Sequence, residues 1–172
     1  MKGGERYREL TAKMHVHGHF EKRSEGMETV YEVVRIRQEI RETKLPLAKV
    51  SSPSEVVDLV NQTILDDDRE VFLVLMLNTR HDVVAVHRCH TGTLNASLVA
   101  AREVFKAAIL NNAAGIVVAH NHPSGHAQPS TEDIQLTTAL MEVGHFLGIP
   151  LLDHVIVGWQ QGYYSFKASG LL

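Results

Sequence analysis

Two stretches of the chain are apolar at nearly every position. The run from Val71 to Leu77 is wholly hydrophobic, too short for a globular helix and too uniform for a half-exposed strand. We therefore predict a buried central strand there. The segment from Gly115 to Ala119 is also short and apolar, and it predicts a second buried strand.

Hydrophobic residues at three-to-four spacing predict amphipathic helices between these strands. The helices are expected at about 29–40, 52–64, 97–111 and 129–147. Further strands are expected at 83–86, 151–157 and 163–166. Because strands and helices alternate, we expect an α/β or interleaved α+β fold, with helices flanking a mixed central sheet.

The first fifty residues have a different character from the rest. Residues 1–24 mix charges, glycine and histidine without sustained periodicity, which predicts an extended leader. The alternation from Met14 to His17 also fits a short edge strand. We divide the chain into residues 1–50, a leader followed by an amphipathic helix, and residues 51–172, one compact domain.

Composition narrows the class of protein. The net charge of −3 and the pI near 6.4 provide no excess of positive charge for neutralising a phosphate backbone, which non-specific nucleic-acid binding requires. Binding through a local basic patch is left as an alternative. The single cysteine, Cys89, permits neither an intramolecular disulfide nor a cysteine-rich metal site, which fits a reducing cytoplasm. The sequence contains no run of about 18 apolar residues, so we expect no membrane-spanning helix.

A metal site is indicated at the end of the second buried strand. His120 and His122 lie two residues apart, so their side chains share one face of a strand. Pro129 then predicts the start of a helix, which places Asp133 in its first turn. Two imidazoles and one carboxylate, with water in the fourth position, form an open zinc site of the catalytic type.

Two alternatives accompany this interpretation. The chain holds eleven histidines, and His15, His17 and His19 repeat the spacing within the leader, but no buried strand precedes them. We therefore expect the leader histidines to face solvent. Ser130 and Asp133 also have the spacing of a capping box, in which their side chains satisfy free amides at a helix start.

The residues of this stretch resemble the signature of a known family. His120-Asn-His-Pro-Ser-Gly125, followed by Pro129-Ser130 and Asp133-Ile134, resembles the RadC family, which belongs to the JAMM (MPN) metallopeptidase-like group. The resemblance covers about residues 50–172 and includes Arg102–Ala108, Asp153–Gly158 and Ser165. It implies a JAMM/cytidine-deaminase-like sandwich. Longer family members carry an N-terminal helix-hairpin-helix module associated with DNA, and we find no such module in this sequence.

The resemblance also implies roles for individual residues. Zinc is expected on His120, His122 and Asp133, with Glu103 as the catalytic carboxylate and Ser130 near the reacting centre. His126 departs from the family, which usually has an acidic residue there. The implied activity is hydrolysis of a peptide or isopeptide bond in a protein or peptide substrate by a zinc-activated water.

Several residues keep a second interpretation. The residues alone favour a surface ion pair of Glu103 with Lys106. Asp153 and His154 either support the metal ligands from behind or form a polar pair at a strand start. A cluster of His87, Cys89 and His90 has no acidic companion nearby in sequence, so we expect packing there instead of a second metal site. Each of these interpretations depends on tertiary contacts.

Other functions were weighed against hydrolysis. A zinc deaminase needs His-x-Glu and Pro-Cys-x-x-Cys, which one cysteine does not supply. A DNA-repair accessory role, with nucleic-acid binding, is an alternative, and so is a catalytically silent protein that keeps its zinc. The sequence leaves association into a homo-oligomer open.

Overall fold

The computed structural model describes residues 32–36, 38–43, 48–64, 68–92, 99–160 and 162–172. The chain divides into residues 1–37 and residues 38–172. The predicted leader, residues 1–24, with its three histidines, lies outside the described residues. The division of the chain at residue 50 stays a prediction.

The helix predicted at 29–40 is wrong where it can be compared. Residues 32–36 and 38–40 form no regular secondary structure, and Val33 and Ile40 are 73% and 85% exposed. Most of the stability of a helix in a protein comes from packing of its apolar face. Since these side chains stay in solvent, no burial offsets the entropy lost when a helix forms.

Eight helices and strands make up the described part of residues 38–172. Their bounds are α1 Pro53–Ile64, β1 Val71–Leu77, β2 Val83–Thr91, α2 Ala101–Leu110, β3 Gly115–Asn121, α3 Thr131–Leu147, β4 Leu151–Gly158 and β5 Gly162–Ser165. None of the helices within the described ranges is long and apolar enough to cross a membrane.

The five strands form one mixed sheet in the order β2-β1-β3-β4-β5. β3 and β4 are parallel and connected through α3, whereas the other neighbouring pairs are antiparallel. The predicted α/β class, with a mixed central sheet and flanking helices, is confirmed.

The sheet has a core on each face, which explains why β1 is apolar throughout. Leu73 and Leu75 pack with α1 on one face, whereas Phe72 and Val74 pack with α2 and α3 on the other. His120 is opposite Phe72 in the register of β3 and β1, and their rings stack, so His120 lies on the face covered by α2 and α3.

Some boundaries differ from the sequence prediction, and β3 ends at Asn121 instead of Ala119. β2 continues to Thr91 instead of ending near Val86, because it pairs with β1 along its whole length. Its second half is polar and lies at the sheet edge, where apolar alternation is not required. α2 begins at Ala101, and the start predicted at residues 97 and 98 lies outside the described residues.

Candidate metal centre

The candidate ligands come from the end of β3 and the first turn of α3. His120 is fully buried near the end of β3, and His122 follows the strand with its amide donating to the carbonyl of Val157. Asp133 is buried, 4% exposed, in the first turn of α3, which begins beside the end of β3. Strand alternation and a helix start thus bring the three candidate ligands together, as the sequence predicted.

The ligand atoms converge on one point. Nε2 of His120 lies 2.9 Å from Nε2 of His122 and 3.2 Å from Oδ1 of Asp133. Nε2 of His122 lies 3.6 Å from Oδ2 of Asp133. Zinc with ligands at about 2.0–2.1 Å in a tetrahedron needs ligand atoms about 3.3 Å apart. The observed separations surround that value, so this donor set fits a zinc-sized ion.

A backbone carbonyl orients the imidazole of His122. Nδ1 of His122 lies 2.8 Å from the carbonyl oxygen of His126. Since a carbonyl only accepts, Nδ1 carries the proton, and in the neutral ring Nε2 presents its lone pair to the centre. Gly125, with φ of 85°, allows the tight turn that brings this carbonyl back.

His120 is oriented from inside the protein. Its Nδ1 lies 2.9 Å from Nε2 of His154, and Nδ1 of His154 lies 2.6 Å from the hydroxyl of Thr137. His154 is therefore the supporting imidazole that the sequence left as one of two alternatives. Thr137 was not predicted as part of the site, although its position four residues after Asp133 places it on the same face of α3.

Asp133 is both a helix cap and a candidate ligand. Oδ2 accepts the amide of Ser130 at 2.8 Å and its hydroxyl at 2.7 Å, while the amide of Asp133 donates to the Ser130 hydroxyl at 3.1 Å. These bonds form the predicted capping box. They engage Oδ2, and Oδ1 faces His120. The two interpretations of Asp133 are therefore compatible.

The electrostatics keep Asp133 ionised. Burial by itself raises the pKa of Asp133, but its contacts with the imidazoles of His120 and His122 and its hydrogen bonds from Ser130 outweigh burial and hold the pKa well below its ordinary value. Burial lowers the pKa of His120. Burial also acts to lower the pKa of His122, but its bonds to Asp133 and to the His126 carbonyl raise the pKa overall. A permanent negative charge beside two imidazoles favours a cation.

Glu103 lies near the start of α2, in an ion pair. Its carboxylate is 2.6 Å from the ammonium of Lys106 and 3.5 Å from Nε of Arg102, and its side chain is 42% exposed. The hydrogen bond with Lys106 lowers the pKa of Glu103 despite partial burial. The structure thus shows the surface pairing, and within the described residues Glu103 is outside the group of converging ligands. Its catalytic role stays a prediction.

Asp153 and its neighbour His154 have separate roles. The Asp153 carboxylate accepts the Ser165 hydroxyl at 2.7 Å and the amides of His154 and Lys167 at 2.8 and 3.1 Å. These bonds tie the segment after β5 to β4. Asp153 is therefore a structural carboxylate with both oxygens engaged, and it is a poor candidate for a proton acceptor.

The remaining histidine clusters do not form a second centre in the described part of the chain. His87 and Cys89 of β2 lie beside Glu103 and Lys106, whose charges affect both pKa values. Burial raises the pKa of the Cys89 thiol to about 11, so it is a poor ligand near neutral pH. The side chain of His126 is exposed, and among the described residues it is outside the ligand group.

The chain was compared with known protein families and sequences. The family model for a RadC-like JAB domain matches residues 50–171. A UPF0758 protein of Rubrobacter xylanophilus is 49% identical over 123 residues, 72% of this chain and 53% of the relative. A UPF0758 protein of Alkaliphilus oremlandii is 42% identical over 130 residues, 76% and 56% of the two chains.

A UPF0758 protein of Methanosarcina barkeri is similar over a longer stretch. It is 37% identical over 159 residues, which is 92% of this chain and 68% of the relative. The chain spans about half the length of most of the curated relatives it matches. By these matches the chain belongs to the RadC family, a JAMM-related family, and carries its RadC-like JAB domain over residues 50–171.

Proposed function

We propose that this protein is a zinc-dependent hydrolase that cleaves a peptide or isopeptide bond in a protein or peptide substrate. The observation that supports this most directly is the convergence of ligand atoms of His120, His122 and Asp133 at a strand end. Three protein ligands leave a fourth position for water or substrate, which is the arrangement of catalytic zinc sites.

The chain's own residues would divide the work of hydrolysis. Bound zinc supplies Lewis acidity, which lowers the pKa of water and polarises a carbonyl oxygen. His120, His122 and Asp133 would hold the ion. Ser130 keeps the carboxylate of Asp133 in place through its amide and hydroxyl. Because the hydroxyl proton of Ser130 is donated to Asp133, that hydroxyl would have to rotate before it could donate to an oxyanion formed from the substrate.

Glu103 is the proposed proton acceptor. Its carboxylate is ionised at neutral pH, the form that accepts a proton from the attacking water. The hydrogen bond with Lys106 lowers its pKa, so Glu103 becomes a stronger base when that bond opens. The same group would return the proton to the leaving amine. Its bonds to Lys106 and Arg102 are half-exposed, so they are weak enough to exchange when substrate binds. Hydrogen bonds of catalytic groups are often completed only in the substrate complex.

Other roles are separated by direct tests. A DNA-associated role predicts that binding to a labelled duplex weakens steeply as salt rises, because phosphate contacts release counterions. A catalytically silent protein would bind zinc and cleave nothing. We place the protein in the cytoplasm, supported by its lone, half-buried thiol.

The central experiment measures metal and cleavage separately. Equilibrium dialysis against zinc should give about one tightly bound ion per chain. The zinc-loaded protein and its Glu103→Gln variant would then be added to a cell lysate, and newly formed primary amines compared by mass spectrometry. New amines with the wild type alone support hydrolysis. Absence of bound zinc contradicts the metal centre, and zinc without any new amine contradicts the hydrolase.

A further inference from the structure

A row of hydrogen bonds leads from α3 through β4 to the metal centre. The Thr137 hydroxyl lies 2.6 Å from the carbonyl oxygen of Asp133 and 2.6 Å from Nδ1 of His154. Nε2 of His154 lies 2.9 Å from Nδ1 of His120. All three side chains are at most 1% exposed. The row therefore connects one candidate ligand, His120, to the residue that provides another, Asp133.

The first bond in the row has a defined direction. A carbonyl oxygen has no proton, so two oxygens 2.6 Å apart need the Thr137 proton between them. A hydroxyl has one proton, and Thr137 has given it to Asp133. Thr137 can therefore only accept from His154, which places the His154 proton on Nδ1.

The direction continues to His120. His154 is fully buried among aromatic rings, and in its neutral ring a proton on Nδ1 leaves a lone pair on Nε2. That lone pair can only accept, and His120 must donate to it from Nδ1. His120 then presents the lone pair of Nε2 to the point where His122 and Asp133 converge.

We propose that Thr137 and His154 are positioning residues that hold His120 in the tautomer able to bind a metal. The proposal rests on the metal centre of the proposed function and adds the residues that prepare it. In the opposite tautomer of His120 the proton is on Nε2, where it has no acceptor once a cation is present. That tautomer would also leave two lone pairs facing each other between His120 and His154.

Aromatic packing holds the rings in the required planes. Phe166 stacks on His154 with ring centres 4.8 Å apart and planes within 8°, and Phe72 stacks on His120 at 6.0 Å and 20°. These contacts seal both imidazoles in the core. Water cannot replace a lost partner there. Removing the Thr137 hydroxyl should therefore weaken the preference of His154, and through it of His120, for one tautomer.

The test uses Thr137→Val, which keeps the shape and removes the hydroxyl. Thr138→Val is the matched control, because the exposed Thr138 donates to the carbonyl of Ile134 in the same manner but faces solvent. Zinc affinity would be measured by competition with a chromophoric chelator. We expect Thr137→Val to weaken zinc binding about 10–100-fold. Thr137→Ser, which keeps a hydroxyl, and Thr138→Val should both bind zinc as tightly as the wild type.

Nitrogen-15 NMR of the metal-free protein gives a second readout, the protonated nitrogen of each imidazole. We expect protons on Nδ1 of both His120 and His154 in the wild type, and a mixture of tautomers in Thr137→Val. Wild-type zinc affinity in a folded Thr137→Val protein, or a proton on Nε2 of His154 in the wild type, would overturn the inference. Failure of the wild type itself to bind zinc would instead contradict the proposed function.

Discussion

The carbonyl oxygen of His126 lies 2.8 Å from Nδ1 of His122 and sets the orientation of that ligand. His126 is the residue at which this chain departs from the pattern of the family it resembles, and its imidazole is exposed. The support for His122 comes from the backbone, which any residue at this position provides. The departure therefore leaves the metal centre intact.

Replacing His126 by alanine should leave zinc binding unchanged, because the carbonyl that contacts His122 is retained. His122→Ala, the paired variant, should abolish tight binding, because two ligands remain. Metal content after dialysis, measured by elemental analysis, distinguishes them. Loss of zinc from His126→Ala would show that its imidazole is a ligand.

His120→Ala should remove the metal and also destabilise the metal-free protein. His120 is fully buried, stacks on Phe72 and lies within hydrogen-bond distance of His154, so its loss leaves a cavity and a buried imidazole without its partner. We expect the free energy of unfolding to fall by about 2–4 kcal/mol. Urea denaturation without metal measures this, and His122→Ala should show a smaller loss, because the His122 side chain is 14% exposed and that of His120 is fully buried. An equal loss in both variants would contradict the difference in burial.

Glu103→Gln should keep zinc at wild-type stoichiometry while turnover of any cleavable substrate falls by about 10²–10⁴, the usual contribution of a positioned acid or base. Glu142→Gln, which changes an exposed glutamate on α3, is the matched control and should keep full activity. If Glu103→Gln loses its zinc, Glu103 is a fourth ligand. If turnover is unchanged, the proton acceptor is another residue.

Cys89 should react slowly with alkylating reagents in the folded protein. Burial, aided by the charge of Glu103, raises the pKa of its thiol from 9.0 to about 11, which lowers the thiolate fraction at pH 8 about a hundredfold. Because folding raises the pKa of the thiol, the un-ionised Cys89 thiol makes its full contribution to the free energy of unfolding below pH 9. That contribution is lost as the pH rises towards 11. Iodoacetamide labelling rates across pH, with urea-unfolded protein as reference, measure this. A midpoint near 9 in the folded protein would contradict it, and Glu103→Gln should lower the midpoint.

Deleting residues 1–24 should leave zinc stoichiometry unchanged. The ligands found in the described residues all lie between His120 and Asp133, and the sequence of the leader has no buried strand to preorganise His15, His17 and His19. Metal analysis of the shortened and complete chains provides the comparison. A fall of one whole zinc per chain would show that the leader holds a metal site.

Much of the fold could be predicted from local pattern. The uniform apolarity of β1 follows from its position between two cores, and the starts of α1 and α3 are marked by Pro53 and Ser130. The helix predicted at 29–40 failed because spacing reports an amphipathic face but not whether a surface exists to cover it. β2 was predicted too short because its second half pairs with β1 through backbone hydrogen bonds, and these do not require a pattern of apolar side chains.

The sequence by itself determined the candidate ligands, because alternation at a strand end and a helix start within a few residues are local properties. His120, His122 and Asp133 were all identified in this way. The tertiary structure alone decided how those ligands are held. His154 on β4 reaches His120, and Thr137 on α3 in turn reaches His154. The ion pair of Glu103 with Lys106, in contrast, is a local contact within α2 that spacing could predict. Hydrogen-bond direction depends on which groups meet across the fold, and residue spacing carries no information about that meeting.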